Sequence, residues 1–585
     1  MEANAKQVQP NREDYSGALF LLVVLIATTV YLLSPFISTK TIPGWGDDPV
    51  FCVFTLGALA KQFSVGLTPW HEAFWDIPMF VPKRQVLALS DPLLLPGFLV
   101  FVFHHWLTLP LFLSVNIVFV VLLLLGWLSC WLLLRALGFS RNVAISGGWL
   151  WAFSPSILSQ SAHFQNTMAF AIPLVLAGAV STWHGKIYGN LLVITGILFL
   201  GYSNLYYLYI ASFALMAIVG VLFIGERSFL KAASVLGSFG VALFLCVPIG
   251  AHYMGGGGGS SIGASYERPF WLQQHFAARL KDYFTSNLVH PWWTGILPVS
   301  ENFERNAFSG ISTLFFAIAG LIIGICPIIR RRKEVIDGGA LAVFVGCLLI
   351  LVGCFFSSGP LFAESFYQHM RSWIPGFAEM RAVGRFGILV VLGELVLSVI
   401  FLQFLARSRS SAIGKWALVA LIIFVQVFER VVPEYRRWQV SLQPDEISSI
   451  LSSHALEGAV WEISPGDSQA TNLVAMRRAL FHSHPIINGY SGYEPEGYSL
   501  KSVSLLSSDC QGFINHYNHL LQHAKLIVVH GFAETQMNRV VECLGFGYDL
   551  QSNSAEGAIF VRRLRTSPDY LRVRTSEWLR HDFRE

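Results

Sequence analysis

The chain has 585 residues, of which 54% are hydrophobic and only 13% charged, far too apolar for an ordinary soluble enzyme of this size. Its formal charge of +4 is spread between apolar stretches and carries no nucleic-acid signature. Eight cysteines fall in no metal-ligand spacing, and their separation alone leaves a Cys510–Cys543 disulfide open.

Apolar stretches run at roughly 17–37, 108–134, 142–158, 165–183, 188–202, 205–224, 231–250, 307–329, 339–357, 385–406 and 412–428. Most come near the ~20 residues that a helix needs to cross hydrocarbon, so the expected fold class is a polytopic α-helical membrane protein of about 11 spans. Under that count Lys6 and Arg12, Arg135 and Arg141, Lys186, Arg227 and Lys231, Arg330 to Lys333, and Arg407, Arg409 and Lys415 fall on one side. The positive-inside bias then places the amino terminus inside. The apolar segment 92–103 is read as a helix packed at the outer face, because one more span would invert every later loop. The first stretch is longer than a signal-peptide core and lacks a convincing cleavage site, so it is expected to stay as an anchor. Two regions result: a membrane module over 1–428 with outer loops 38–107, 251–306 and 358–384, and a small extracytoplasmic α/β domain over 429–585.

The first outer loop opens on Trp45-Gly46-Asp47-Asp48-Pro49. Pro49 suits the first residue of a helix, and 49–63 reads as a helix lying along the lipid interface. A single helix cap accounts for one carboxylate of Asp47 and Asp48; the other is a candidate general base. Further along come His71, Glu72 and Asp76, candidate substrate contacts, between Trp70 and Trp75, which read as interfacial anchors. With Asp47, Asp48 and Asp91 these residues hold enough ligand atoms for a divalent metal, but no spacing sets a site. No cofactor is required by the sequence, and metal is left open.

His163 and Gln165 lie between the third and fourth expected spans, and Asn204 and Tyr206 at the next outer turn. Polar side chains at that depth either bind a polar group or, as Asn166 and Asn204 could, satisfy the backbone at helix ends. The second outer loop carries the run Gly255 to Gly259, which lacks the Lys-Ser or Lys-Thr ending of a phosphate-cradling loop. Tyr266 and Glu267 follow it, in a segment that lines a sugar site or merely covers the interface. Arg381 and Arg385 are four apart and share a face if helical. Basic residues avoid the outer side, so this pair calls for an anion: a lipid phosphate, an internal acid among Asp47, Asp48, Asp76 and Glu379, or the lipid headgroups that would anchor it. In the tail, 472–480 reads as a helix, 485–487 as the start of a strand or an extended arm, 526–529 and 558–561 as strands, and 533–544 as a helix between those strands.

A lipid phosphate held near an outward carboxylate suits a polyprenyl-phosphate sugar. The lipid stays in the membrane, the phosphate at its surface, and the sugar projects into the loops. An arginine pair compensates the departing phosphate, while an aspartate takes the acceptor's proton for direct displacement at the anomeric carbon.

At these residues the chain resembles the multi-spanning GT-C glycosyltransferase superfamily, in its large uncharacterised prokaryotic set. The resemblance rests on Gly46-Asp47-Asp48-Pro49, on Phe153-Ser154-Pro155 to His163-Phe164-Gln165, and on Leu205-Tyr206-Tyr207. It continues through Pro375-Gly376-Phe377, Arg385-Phe386 and Asn488-Gly489-Tyr490-Ser491-Gly492-Tyr493. The five-glycine run departs from that pattern. The resemblance implies inverting transfer from a polyprenyl-phosphate sugar to a glycan, lipid or protein acceptor, at the outer face of a prokaryotic cytoplasmic (inner) membrane. Asp47 is the first choice for the base and Asp48 the second; some members of the superfamily use a divalent metal at this acid. The rival functions are a transporter or flippase for a lipid-linked saccharide and a noncatalytic envelope assembly protein. Sugar, acceptor, linkage and oligomeric state are not set by the sequence.

Overall fold

The structure, a computed structural model, describes residues 12–44, 48–160, 163–253, 268–285, 297, 302–329, 336–407, 422, 424–426, 428–429, 439–453, 458–465, 468–491, 495, 497–498, 505–545, 547–554 and 557–562. Asp47, Tyr266, Glu267, the five-glycine run and most of 412–428 lie outside the described residues.

Among the described residues six helices are long and apolar enough to cross a membrane: Leu111–Ala136, Phe164–Trp183, Leu205–Glu226, Phe229–Tyr253, Gly339–Phe362 and Val383–Ala406. Shorter apolar helices cover Leu22–Phe36, Leu94–Trp106, Tyr188–Gly201 and Ile311–Cys326. The expected span 142–158 is not one helix. It divides into α5 (Arg141–Ala152) and α6 (Pro155–Ser159), and twelve residues rise only about 18 Å against about 30 Å of hydrocarbon. The break is local chemistry: the Ser154 side chain accepts the Ile157 amide at 3.4 Å, and Pro155 takes a first-turn position that needs no amide donor.

The bundle is built around α4 (Leu111–Ala136), which packs on α5 and on α7 (Ala171–Trp183). From α7 the packing passes to α8 (Tyr188–Gly201) and α9 (Leu205–Glu226), and from α8 to α10 (Phe229–Tyr253). Farther along the chain, the helices Ile311–Ile329 and Ile336–Phe362 both pack on Ile388–Ala406, which also touches α5.

The first loop departs from expectation at two points. Helix α2 (Asp48–Ser64) is buried from Pro49 to Gln62, because α3 (Leu94–Phe101) and the tail helix Ser468–His482 cover it. A helix that is apolar all round belongs in an interior rather than along a lipid surface. Trp75 is no interfacial anchor either: it is 0% exposed, stacks on His252 at 4.2 Å and donates its indole N–H to the Pro69 carbonyl at 3.0 Å. Trp70 stays exposed. The segment 92–103 is helical as expected, α3 running into a π turn over Val102–Trp106.

The tail carries a four-stranded sheet in the order β3–β4–β6–β5, made of β3 (Ala459–Ile463), β4 (Ala524–Val529), β5 (Tyr548–Ser554) and β6 (Gly557–Arg562). β3 and β4 are parallel and the other pairs antiparallel. The expected helix 533–544 is Glu534–Leu544, and its Cys543 is joined to Cys510 of the helix Cys510–Leu521. Buried Arg478 bridges Asp445 at 2.7 Å and Glu462 at 2.6 Å, fastening the helix Ser468–His482 to β3. A separate ribbon pairs β1 (Thr41–Pro43) with β2 (Gln439–Ser441), antiparallel. It ties the start of the first loop to the start of the tail.

Candidate active site

Four stretches of chain meet at one buried chain of charges. Asp48 opens α2. His163 lies in a turn between α6 and the 3-10 helix Phe164–Phe170, closed by His163 N–H to the Gln160 carbonyl at 2.9 Å and Asn166 N–H to the His163 carbonyl at 2.8 Å. Glu304 sits in the 3-10 turn Phe303–Arg305, its amide donating to the Asn302 side chain at 3.0 Å. Arg385 sits in another, Val383–Gly387, with Arg381 just ahead of it.

His163 Nδ1 lies 2.5 Å from Asp48 Oδ2, and its Nε2 3.3 Å from Glu304 Oε1. Arg385 grips Glu304 with Nε to Oε2 at 2.7 Å and Nη2 to Oε1 at 2.9 Å, and Arg381 Nη2 reaches Oε1 at 3.2 Å. Such forked pairs suit a planar guanidinium. Gly384 permits the approach: a Cβ there would stand 2.6 Å from the Phe276 carbonyl oxygen and 3.0 Å from that of Glu304. The Arg385 guanidinium also lies 4.8 Å over the Tyr206 ring, and the Tyr206 hydroxyl accepts the Arg381 amide at 2.8 Å.

Burial grades along this chain. The side chains of His163, Glu304 and Arg385 are buried, whereas Asp48 is 23% and Arg381 40% exposed. The two ends of the network are thus its accessible parts. Burial opposes charge on His163, but Glu304 and Asp48 overcome it and raise the imidazole to about 9. Burial likewise works to raise the Asp48 carboxyl, yet the His163 hydrogen bond and charge and the Tyr490 hydroxyl leave it lowered. Glu304 ends well below the usual carboxylate range: Arg385 and His163 outweigh its burial. Nearby Asp91, which accepts the Leu205 amide at 3.2 Å, goes the other way; burial pushes it up to about 6 against the pull of Arg385.

The structure therefore brings Asp48, His163, Arg381, Arg385 and Tyr206 into one cluster. Asp48 is engaged by His163 and, through Oδ1, by the Tyr490 hydroxyl at 3.0 Å. Asn204 caps α9, accepting the Tyr207 amide at 3.0 Å and donating to the Gln165 carbonyl at 2.9 Å. The Gln165 side chain faces the Cys52 thiol at 3.5 Å. Those two residues support the turn that carries His163. His71 and Asp76 keep to their own loop: His71 caps a short helix through Ala73, and Asp76 holds Arg84 at 3.3 Å and the Gln85 amide at 2.6 Å; Glu72 acts electrostatically on His252 of α10. Among the described residues no group of three or more His, Cys, Asp or Glu is placed to hold a metal.

Two participants were not singled out by the sequence. Glu304 is absent from the acids expected to neutralise Arg381 and Arg385, and Tyr490 stands in the tail motif with nothing to link it to the first loop. The requirement of two outward arginines for an anion was the available signal for Glu304. Behind Arg385 a cavity of about 10 Å³, lined by Ser156, Gln160, Asn166, Tyr207 and Asn306, has room for roughly one water.

The fold is similar to that of the arabinofuranosyltransferase AftD from Mycobacteria, with a TM-score of 0.54 and 13% identity over 94% of this chain and 40% of AftD. The chain thus spans less than half of AftD's length. It is also matched to the Archaeoglobus fulgidus oligosaccharyltransferase, at a TM-score of 0.46 and 11% identity, covering 87% of this chain and 69% of that one. ArnT from Cupriavidus metallidurans gives 0.47 and 11%, covering 93% and 98%. No family model and no curated protein matches the chain.

Proposed function

We propose, for a chain that has the GT-C fold of membrane glycosyltransferases, that it moves a sugar from a polyprenyl-phosphate carrier to an acceptor hydroxyl, with Asp48 as general base. The observation that carries this reading is the Asp48–His163–Glu304–Arg381 chain, with a partly open carboxylate at one end and a partly open guanidinium at the other.

Each carboxylate oxygen has two lone pairs, so Asp48 keeps acceptor capacity beyond His163 and Tyr490. An acceptor hydroxyl donates to it, and the hydroxyl oxygen attacks the anomeric carbon as the bond from that carbon to the phosphate oxygen breaks. The proton passes to Asp48, the bonding pair leaves with the phosphate, and the configuration inverts. Arg381 meets the phosphate. Arg385, buried between Glu304 and the Tyr206 ring, fixes Glu304 instead of reaching substrate. His163, held as an imidazolium between two acids, keeps Asp48 ionised. In this reading the donor lipid lies in the outer leaflet of a prokaryotic inner membrane, and the tail stands outside.

The test is sugar transfer by purified full-length protein from synthetic polyprenyl-phosphate pentoses and hexoses. Asp48→Asn is expected to abolish transfer at unchanged membrane abundance, while Asp47→Asn retains most of it. Loss in Asp47→Asn alone would move the base to its neighbour. Movement of lipid-linked sugar across vesicles without any transfer would overturn the reading.

A further inference from the structure

The tail segment 486–491 threads between the sheet and the first loop. On the sheet side, the Ile487 amide donates to the Val460 carbonyl at 2.9 Å and the Asn488 side chain to the Glu462 carbonyl at 2.9 Å, while the Glu462 amide donates back to Asn488 Oδ1 at 2.7 Å. On the loop side, the Val81 amide donates to the Ile486 carbonyl at 3.2 Å, the Phe80 amide to the Asn488 carbonyl at 3.1 Å, and the Ser491 hydroxyl to the Leu89 carbonyl at 2.9 Å. Gly489 lets the segment press onto the Phe80 ring, which a Cβ would meet at 2.7 Å. A segment fastened on both sides has little freedom to reorient the residue that it presents.

That residue is Tyr490. Its ring stands edge-on to Phe51 at 5.9 Å, and its hydroxyl donates to Asp48 Oδ1 at 3.0 Å. His163 takes the other oxygen. With the Tyr490 hydroxyl on one oxygen and the His163 ring 2.5 Å from the other, rotation of the carboxylate about its last bond costs the hydrogen bond and the ion pair together.

Building on the assignment of Asp48 as the base, we propose that Tyr490 is a positioning residue for sugar transfer: the tail inserts its hydroxyl into the membrane module to fix the rotamer and basicity of Asp48. The groups that share the surroundings of Asp48 are His163, Glu304 and Cys52, with Asp91, Arg381 and Arg385 one step farther along the network. Of these, only His163 also pairs directly with Asp48 among the contacts described. Removing the phenol therefore weakens the ionised form of Asp48 while leaving the imidazolium in place.

The experiment compares wild type with Tyr490→Phe, full length in nanodiscs, by two readouts. The first is the pH profile of sugar transfer from synthetic polyprenyl-phosphate sugars. The second is the pH dependence of Asp48 modification by a carbodiimide with an amine nucleophile, read by peptide mass spectrometry. Tyr490→Phe keeps the ring on Phe51 and is expected to lower kcat about 10-fold, the scale of one hydrogen bond to a charged group. Its acidic limb and its carbodiimide profile both move to higher pH. Placing 3,5-difluorotyrosine at position 490 provides a stronger donor of nearly the same shape, and moves both profiles to lower pH. A uniform loss of rate with unmoved profiles, or no change in either variant, would assign Tyr490 to packing and overturn the proposal. If Asp48→Asn retains transfer, the base assignment fails by itself, and the labelling profiles still decide whether Tyr490 governs Asp48.

Discussion

Arg385 closes on Glu304 through two parallel hydrogen bonds, 2.7 and 2.9 Å long, with both side chains almost entirely out of water. Nothing in the region between residues 302 and 306 is helical or strand-like beyond a single 3-10 turn. The anchoring of that turn therefore falls to Glu304, along with buried neighbours such as Asn306, which receives the Ser156 hydroxyl on its carbonyl at 3.2 Å.

Glu304→Gln preserves shape and removes charge. It leaves buried Arg385 without its counter-ion, and breaking such a pair from one side costs about 3–5 kcal/mol. The midpoint of chemical unfolding in detergent should fall accordingly; an unchanged midpoint would show that the pair contributes little to holding the site.

Arg381→Ala and Arg385→Ala should separate. Arg381 is 40% exposed and makes one 3.2 Å contact to Glu304, so its loss should change stability by about 1 kcal/mol or less while weakening binding of a polyprenyl monophosphate about 10-fold. Arg385→Ala should instead destabilise the fold. Native mass spectrometry with the lipid phosphate, beside an unfolding curve, distinguishes the two. Equal lipid affinity in wild type and Arg381→Ala would remove Arg381 from the phosphate role.

His163 gives the stability a signature in pH. Burial disfavours its charged form, but Glu304 and Asp48 prevail, so the folded imidazole titrates at about 9 against an ordinary 6.5. The folded state then binds the proton more tightly than the unfolded one. The resulting stabilisation is complete below pH 6.5 and is lost as pH rises through 9. It is on the order of 3 kcal/mol. His163→Gln should flatten the decline in melting temperature between those values, and an equally steep decline in the variant would place its origin elsewhere.

The parts legible in the sequence are those whose signal is local. Apolar length located most of the membrane-scale helices, and the apolar runs at 526–529 and 558–561 are the cores of β4 and β6. Asp48, His163, Arg381 and Arg385 stood out because charge and imidazole are uncommon beside apolar stretches. Glu304 did not: it lies among Asn302, Arg305 and Asn306 with no periodicity, and looks like any solvated acid until three distant turns enclose it. Helix α2 and Trp75 were misplaced for a related reason. Apolar residues near a membrane read as lipid-facing, whereas here α3, the tail helix and His252 cover them. The division of 142–158 was within reach, since Ser154-Pro155 is a helix-start signal in the middle of an apolar run.

The Asp48–Tyr490 contact joins residues 442 positions apart. At cellular rates of about 5–20 residues per second, Asp48 leaves the ribosome roughly 20–90 s before its phenolic partner exists. Membrane insertion of the early helices thus precedes completion of the site by a long interval. A chain that terminates in the tail before residue 490 leaves behind an inserted bundle whose acid lacks its phenolic partner, so such truncations should yield membrane-embedded but underactive chains.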